Sequence, residues 1–213
     1  SMGDDAQQAV FDFLADPASH GGAPVKRIDT HAASVFLAGE CALKVKRAVR
    51  FPVLDYSTLE KRQAACVAEI EVNRPYAPAI YRGVVAITRE ADGKLAIGGA
   101  GPPVEWAVEM RRFDETKTLD HLAERGEIDA QLADALGRAV AQAHAAAPVV
   151  IDIGFADELA EFVTQNDAEL RAAPELFAPA AVSALTATTR AALERVRPLL
   201  TARERDGRVA RCH

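Results

Sequence analysis

The stretch AGECALKVKRAVRF, residues 38–51, places two lysines in a short apolar run that is typical of a β-strand. Side chains alternate between the two faces of a strand, so Ala42, Lys44 and Lys46 share one face. Either that face is open to solvent, or one of the lysines binds an anion. Exposed strands often carry lysine, so the run by itself favours a solvated face, and the second interpretation needs a partner elsewhere in the chain.

The sequence around this run predicts a sheet of short strands. Small or turn-forming residues separate the β-rich runs, which favours an antiparallel meander. An Asp92-Gly93 pair between two later runs is typical of a hairpin turn. The predicted strands cover residues 25–31, 34–39, 41–46, 81–90, 95–99 and 104–110.

A helix is predicted over residues 58–73, directly after the lysine strand. Ser57 and Glu60 match the S-x-x-E capping box at its start, and Pro75 ends it. One face carries an apolar stripe made of Leu59, Cys66 and Ile70.

A lysine that binds phosphates from a strand is commonly held by a carboxylate on a nearby helix. The predicted helix offers Glu69 and Glu71, which lie on opposite flanks of its apolar stripe. Spacing does not choose between the two, and a solvated helix face is the usual place for either glutamate.

After residue 113 the composition becomes helical. Helices are predicted in four segments, and Asp129 is the expected N-cap of the second of them. Strands followed by helices, without alternation, indicate an α+β fold. The helical segments cover residues 116–127, 129–148, 156–172 and 178–200.

Composition narrows the classes of function. A net charge of -6 argues against a nucleic-acid binder. Three widely spaced cysteines, Cys41, Cys66 and Cys212, match no metal-ligand spacing and favour reduced thiols. No apolar run of about 18 residues and no signal-peptide pattern is present, so we expect a cytoplasmic protein without a membrane partner.

Two connecting segments are weaker candidates for ligand contacts. The turn DTHAAS, residues 29–34, has small residues that would admit a phosphate, and Thr30 and Ser34 add hydroxyls. The connector VEMRRFDE, residues 108–115, joins the strand-rich part to the helical part. A cleft between such parts is a common ligand site, although the connector also fits an ordinary linker.

Taken together, these motifs resemble the amino-terminal part of bacterial aminoglycoside-phosphotransferase-like proteins, which have a protein-kinase-like fold. The segment CALK, residues 41–44, stands where the V-A-I-K motif of that fold would stand, a helix glutamate follows it, and VEWAVEMRRF precedes a helical part. The resemblance covers residues 25–213. It implies a bilobal fold, with an N-lobe over residues 1–112 and a partial, mostly helical C-lobe over residues 113–213.

The resemblance also implies roles for individual residues. Lys44 would contact the α- and β-phosphates of ATP, and Glu69, rather than Glu71, would orient it. Met110 and Arg112 would bond the adenine through their backbone, and Ala42 belongs to the same motif. The DTHAAS turn, with Thr30 and Ser34, would replace the glycine-rich loop, and Lys46 would be a second cation beside the site or simply exposed.

The segment DGRVARCH resembles the strand that leads into the family's catalytic loop, H-G-D-x-H-x-x-N, with His213 as its first residue. The catalytic aspartate and the Mg²⁺ ligands would then follow this chain, which by itself would be inactive. The resemblance implies an ATP-dependent phosphotransferase for a small hydroxyl- or amine-bearing metabolite, often with a P-loop kinase domain downstream. The alternative is a non-catalytic nucleotide-binding or regulatory module. We also expect apolar surface on helices 131–146 and 180–200, which would favour dimerisation.

Overall fold

The computed structural model describes residues 2–212 of the chain, and its side chains from residue 5 onward. The chain divides into two compact units, one that runs to Ile128 and one that begins at Asp129. The lobe boundary that the resemblance implies, after residue 112, stays a prediction. The first compact unit also includes a 3-10 turn at Glu115–Lys117 and a short helix at Leu119–Glu124.

The first unit is built on a curled, six-stranded sheet in which every neighbouring pair is antiparallel, in the order β1-β2-β3-β8-β6-β7. The α+β prediction is therefore confirmed. A separate two-stranded hairpin, β4 with β5, was not expected from the sequence. The strands are β1 (Val25–Asp29), β2 (Ala33–Ala38), β3 (Cys41–Lys46), β4 (Arg50–Phe51), β5 (Leu54–Asp55), β6 (Tyr81–Arg89), β7 (Leu95–Ile97) and β8 (Pro103–Arg111).

Two helices cover opposite faces of this sheet. Helix α1 (Met2–Ala15) packs on the face that carries Phe36 and Leu43, and α2 (Leu59–Asn73) packs on the face that carries Leu37 and Val108. Because successive strand residues point to opposite faces, both sets of alternating side chains are apolar. The short helix at Leu119–Glu124 is α3.

The start of α2 lies one residue later than the capping box predicts. The N-cap is Thr58, whose hydroxyl accepts a hydrogen bond from the Lys61 N–H at 3.3 Å. Ser57 does not cap the helix because its hydroxyl donates to Asp55 at 2.6 Å. The predicted apolar stripe is present, with Cys66 and Ile70 buried.

The described part of the second unit, residues 129–212, contains three helices: α4 (Ala130–Ala146), α5 (Phe155–Arg171) and α6 (Pro179–Arg205). The predicted cap is confirmed, since Asp129 accepts a hydrogen bond from the Leu132 N–H at 2.7 Å. Helices α5 and α6 pack against each other. Glu204, buried near the end of α6, accepts hydrogen bonds from the three consecutive N–H groups of residues 153–155 at 2.6–3.1 Å.

Replacing Glu204 with glutamine is expected to destabilise the second unit by about 1–3 kcal/mol, because one acceptor and the negative charge at the start of α5 are lost. The helical circular-dichroism signal, followed during urea unfolding, measures this change. Glu161→Gln, at an exposed position on α5, is the matched control and should change the free energy of unfolding by less than about 0.5 kcal/mol. Equal effects of the two substitutions would contradict the capping role.

Several large apolar side chains of the second unit are exposed on α4 and α6. They lie where the sequence predicts apolar surface, and dimerisation through them stays a prediction. The side chains are Leu136, Val140, Leu185, Val196 and Leu199. Among the helices of residues 2–212, none is both long and apolar enough to cross a bilayer.

Candidate functional site

A cavity of about 470 Å³ lies in the first unit, on the same side of the sheet as α2. Helix α2 packs mainly over β8 and β6, so the part of this face formed by β1, β2 and β3 remains open. Strand alternation brings Val35 and Leu37 of β2, and Ala42 and Lys44 of β3, to the floor of the cavity. The cavity therefore combines an apolar floor with the ammonium group of Lys44.

The charged end of the cavity is a cluster of two lysines and one glutamate. The Lys44 Nζ donates to Glu69 Oε1 at 2.8 Å, and the Lys46 Nζ donates to the other carboxylate oxygen. The Lys44 side chain is 30% exposed, whereas Lys46 and Glu69 are 8% and 10% exposed. Of the two alternatives for Lys46, the solvent-exposed cation is wrong, because α2 and its glutamate cover that end of β3. Lys46 instead lies beside Lys44 as a second cation that lines the cavity.

The charges in this cluster perturb the titration of neighbouring groups. Burial raises the pKa of Glu69, but hydrogen bonds and charge from Lys44 and Lys46 outweigh it, so that pKa lies below its usual value. Burial raises the pKa of the Cys66 thiol, on the preceding turn of α2, to about 11. Burial, and then the charge of Glu69, raise the pKa of Tyr81. Glu69 is thus an ionised carboxylate at neutral pH.

The ion pairs of Glu69 predict a specific acid dependence of stability. Because the pKa of Glu69 is lower in the folded chain than its unfolded value of about 4.3, its pairs stabilise the first unit above that pH. This stabilisation is lost as the pH falls through the lower, folded-state pKa. Urea unfolding at several pH values should show that Glu69→Gln lowers stability at pH 7 and flattens its decline between about pH 5 and pH 3. Glu71→Gln, at an exposed position on α2, should leave the decline unchanged.

Most of the predicted site residues are brought together in the cavity. Ala42, Lys44 and Met110 line it, and Glu69 pairs with Lys44 beside it. Glu71, which spacing could not distinguish from Glu69, is exposed on α2.

Two predicted contacts in the DTHAAS turn differ from the observed arrangement. Thr30 lines the cavity, but its hydroxyl closes the turn by donating to the Ala33 C=O at 3.1 Å and accepting from the Ala33 N–H at 3.0 Å. Ser34 is fully buried on the opposite face of β2, the face of Phe36 and α1, because strand residues alternate. Ser34 therefore cannot add a hydroxyl to the cavity.

The connector after β8 limits the adenine contact that the resemblance implies. Arg112 lines the cavity, but its backbone N–H donates to the Glu40 C=O at 2.8 Å. This N–H is already paired, so a contact with adenine through the Arg112 backbone would have to use its C=O, and that contact stays a prediction. Phe113 and Glu115, which follow on the chain, also line the cavity.

A buried polar network lies where β3 ends and was missed by the sequence prediction. Arg62 of α2 donates to Glu105 of β8 at 2.9 Å and 3.1 Å, and their side chains are 9% and 1% exposed. Gln7 of α1 donates to both Glu105, at 3.0 Å, and the Lys46 C=O, at 2.9 Å. One signal was available: Arg62 precedes Cys66 by four residues and so lies on the apolar stripe of α2.

Two tyrosines also line the cavity without having been predicted. Tyr56 lies beside the lysine cluster, with the Lys46 Nζ 5.5 Å from its ring centre. Tyr81 begins β6 and pairs with Met110. Tyr56 and Tyr81 both follow irregular segments of sequence, where strand periodicity does not indicate the direction in which a side chain points.

Comparison with known proteins gives relatives but no activity. The chain is 32% identical over 116 residues to the uncharacterized proteins Rv2004c and MT2060 of two Mycobacterium tuberculosis strains and Mb2027c of Mycobacterium bovis. Each match covers 54% of this chain and 22% of the relative. The chain thus spans about a fifth of the relatives' length. No family model and no solved structure matches it.

Proposed function

We propose that this chain is the nucleotide-binding part of an ATP-dependent phosphotransferase of protein-kinase-like, bilobal fold, acting on a small hydroxyl- or amine-bearing metabolite. The observation that carries the proposal is the 2.8 Å ion pair between Lys44 of β3 and Glu69 of α2 at one end of the cavity. In phosphotransferases of that fold a strand lysine paired with a helix glutamate binds nucleotide phosphates.

The chemistry of the cavity fits a nucleotide. Its volume of about 470 Å³ is in the range of small-molecule sites, which is roughly 300–1,000 Å³. Apolar side chains such as Leu37, Ala42 and Met110 suit a flat base, and Lys44 suits phosphate oxygens. Two ammonium groups against one carboxylate leave one positive charge at this end, which favours an anion.

The metal and the catalytic base are separate parts of the proposal. Within the part of the chain whose side chains are described, no group of three or more His, Cys, Asp or Glu side chains could hold a metal ion. The resemblance attributes both functions to residues that follow His213. Transfer, its metabolite and a downstream P-loop kinase domain are therefore proposals about a longer protein.

Calorimetric titration of the chain with ATP, adenosine and inorganic triphosphate tests the nucleotide site. We expect ATP to bind more tightly than either part alone, because only ATP uses the apolar floor and Lys44 together. Equal affinity for ATP and triphosphate would indicate a simple anion patch and would contradict the proposal, as would no binding of ATP.

Transfer is tested by following ATP consumption and phosphorylated products with the chain extended through the H-G-D-x-H-x-x-N segment. Turnover that Lys44→Ala abolishes would support the phosphotransferase. Tight ATP binding without any turnover would instead support the non-catalytic nucleotide-binding module.

A further inference from the structure

The two lysines of the cluster are not equivalent. Both line the cavity and they bond to different oxygens of Glu69, but the Lys46 side chain is nearly as buried as the glutamate, at 8% against 10%, whereas Lys44 is 30% exposed. Lys44 is therefore the more accessible of the two ammonium groups to a nucleotide phosphate in the cavity.

The surroundings of Lys46 fix its position. Its ammonium group lies 5.5 Å from the centre of the Tyr56 ring, within the range of a cation–π interaction. Its backbone C=O accepts from Gln7 Nε2 at 2.9 Å, and the same amide accepts from the Ala48 N–H at 2.8 Å. Gln7 in turn contacts the buried Glu105 at 3.0 Å. Lys46 is thus held at its backbone by Gln7 and at its ammonium group by Glu69 and the Tyr56 ring.

Because two lysines share the Glu69 carboxylate, one of them can move without leaving that carboxylate unpaired. A phosphate that draws Lys44 away from a single-lysine pair would leave the carboxylate buried without a partner, which is costly. Here Glu69 retains Lys46, so the buried charge stays neutralised when Lys44 moves.

We propose that Lys46 is a positioning residue: it is the permanent ion-pair partner of Glu69, and it frees Lys44 to bind the ligand anion. The pairing stands on the geometry of the cluster, whereas the release of Lys44 toward a nucleotide rests on the proposed function. Without Lys46, both carboxylate oxygens of Glu69 would be available to Lys44 and would compete with the phosphate.

Thermal unfolding without nucleotide tests the pairing. Lys46→Met should lower Tm by about 4 °C or more, since a buried carboxylate loses its shielded partner, and Lys44→Met should lower it by less than half as much. The double variant Lys46→Met/Glu69→Gln should recover most of the loss. Equal losses for the two single variants, or no recovery, would overturn the pairing.

Calorimetric titration with ATP in the presence of Mg²⁺ tests the release of Lys44. Lys46→Met should weaken ATP binding about tenfold although Lys44 is intact. The expected loss is the value of one charged hydrogen bond, the bond by which Glu69 competes with the phosphate for Lys44. Lys46→Met/Glu69→Gln should restore affinity to within about threefold of the unchanged chain. A purely structural role for Lys46 would leave the double variant as weak as the single one, and that result would overturn the positioning role.

The two tests separate the two proposals. If the unchanged chain binds no ATP, the proposed function is wrong, and the release of Lys44 falls with it. The Tm series requires no nucleotide, so it decides the Lys46–Glu69 pairing in either case.

Discussion

Replacing Arg62 with methionine is expected to lower the free energy of unfolding of the first unit by about 3–5 kcal/mol, the usual cost of leaving one charge of a buried pair without its partner. The Glu105 side chain is only 1% exposed. Without Arg62, its carboxylate would keep the hydrogen bonds from Gln7 and from the Trp106 N–H. The substitution also removes the bond from Arg62 to the Tyr56 C=O at 2.9 Å. Urea unfolding followed by tryptophan fluorescence measures the effect, since Trp106 adjoins Glu105.

Two further variants separate charge from packing. Arg62→Met/Glu105→Gln should regain most of the lost stability, because both buried charges are then absent and the amide still accepts from Gln7. Arg82→Met removes an exposed arginine that pairs with Glu109 at 3.5 Å, and should cost less than about 1 kcal/mol. If the double variant were as unstable as Arg62→Met, lost packing rather than an unpaired carboxylate would explain the result.

Replacing Lys44 with methionine is expected to weaken ATP binding by about tenfold to a hundredfold, the value of a hydrogen bond to a charged group. Folding should be little affected, because Glu69 retains Lys46. The contrast between a large loss of affinity and a small loss of stability is the signature of a ligand-binding lysine. Calorimetry with ATP and thermal unfolding measure the two quantities on the same protein.

Lys94→Met is the matched control for this substitution. Lys94 is exposed in the turn between β6 and β7, outside the cavity, so the variant loses the same charge from the same unit. We expect its ATP affinity to stay within about twofold of the unchanged chain, apart from a small dependence on salt. Equal losses in Lys44→Met and Lys94→Met would mean that ATP responds to overall charge and not to this site.

The elements of the first unit follow from local patterns in the sequence. Alternation in CALKVK correctly places Ala42, Lys44 and Lys46 on one face of β3, and the four-residue spacing of Cys66 and Ile70 correctly gives the buried face of α2. These patterns act within one strand or one turn of helix. They therefore need no knowledge of the rest of the chain.

The sequence predictions fail for side chains whose burial depends on contacts between elements that are distant in the sequence. Both faces of β2 are apolar, so alternation could not tell that Ser34 faces α1 and not the cavity. Lys46 is buried only because α2 brings Glu69 over the end of β3. Glu105 shares its strand face with Glu109, a pattern typical of a solvated face, yet α1 and α2 supply partners for it from distant parts of the sequence.

The most direct test of the account is a crystal structure of the chain with a non-hydrolysable ATP analogue. The account predicts phosphate oxygens about 3 Å from the Lys44 Nζ, the base on the floor formed by Leu37 and Met110, and Glu69 still bonded to Lys46. An analogue bound outside this cavity, or phosphates held by other cations while Lys44 keeps its bond to Glu69, would contradict it.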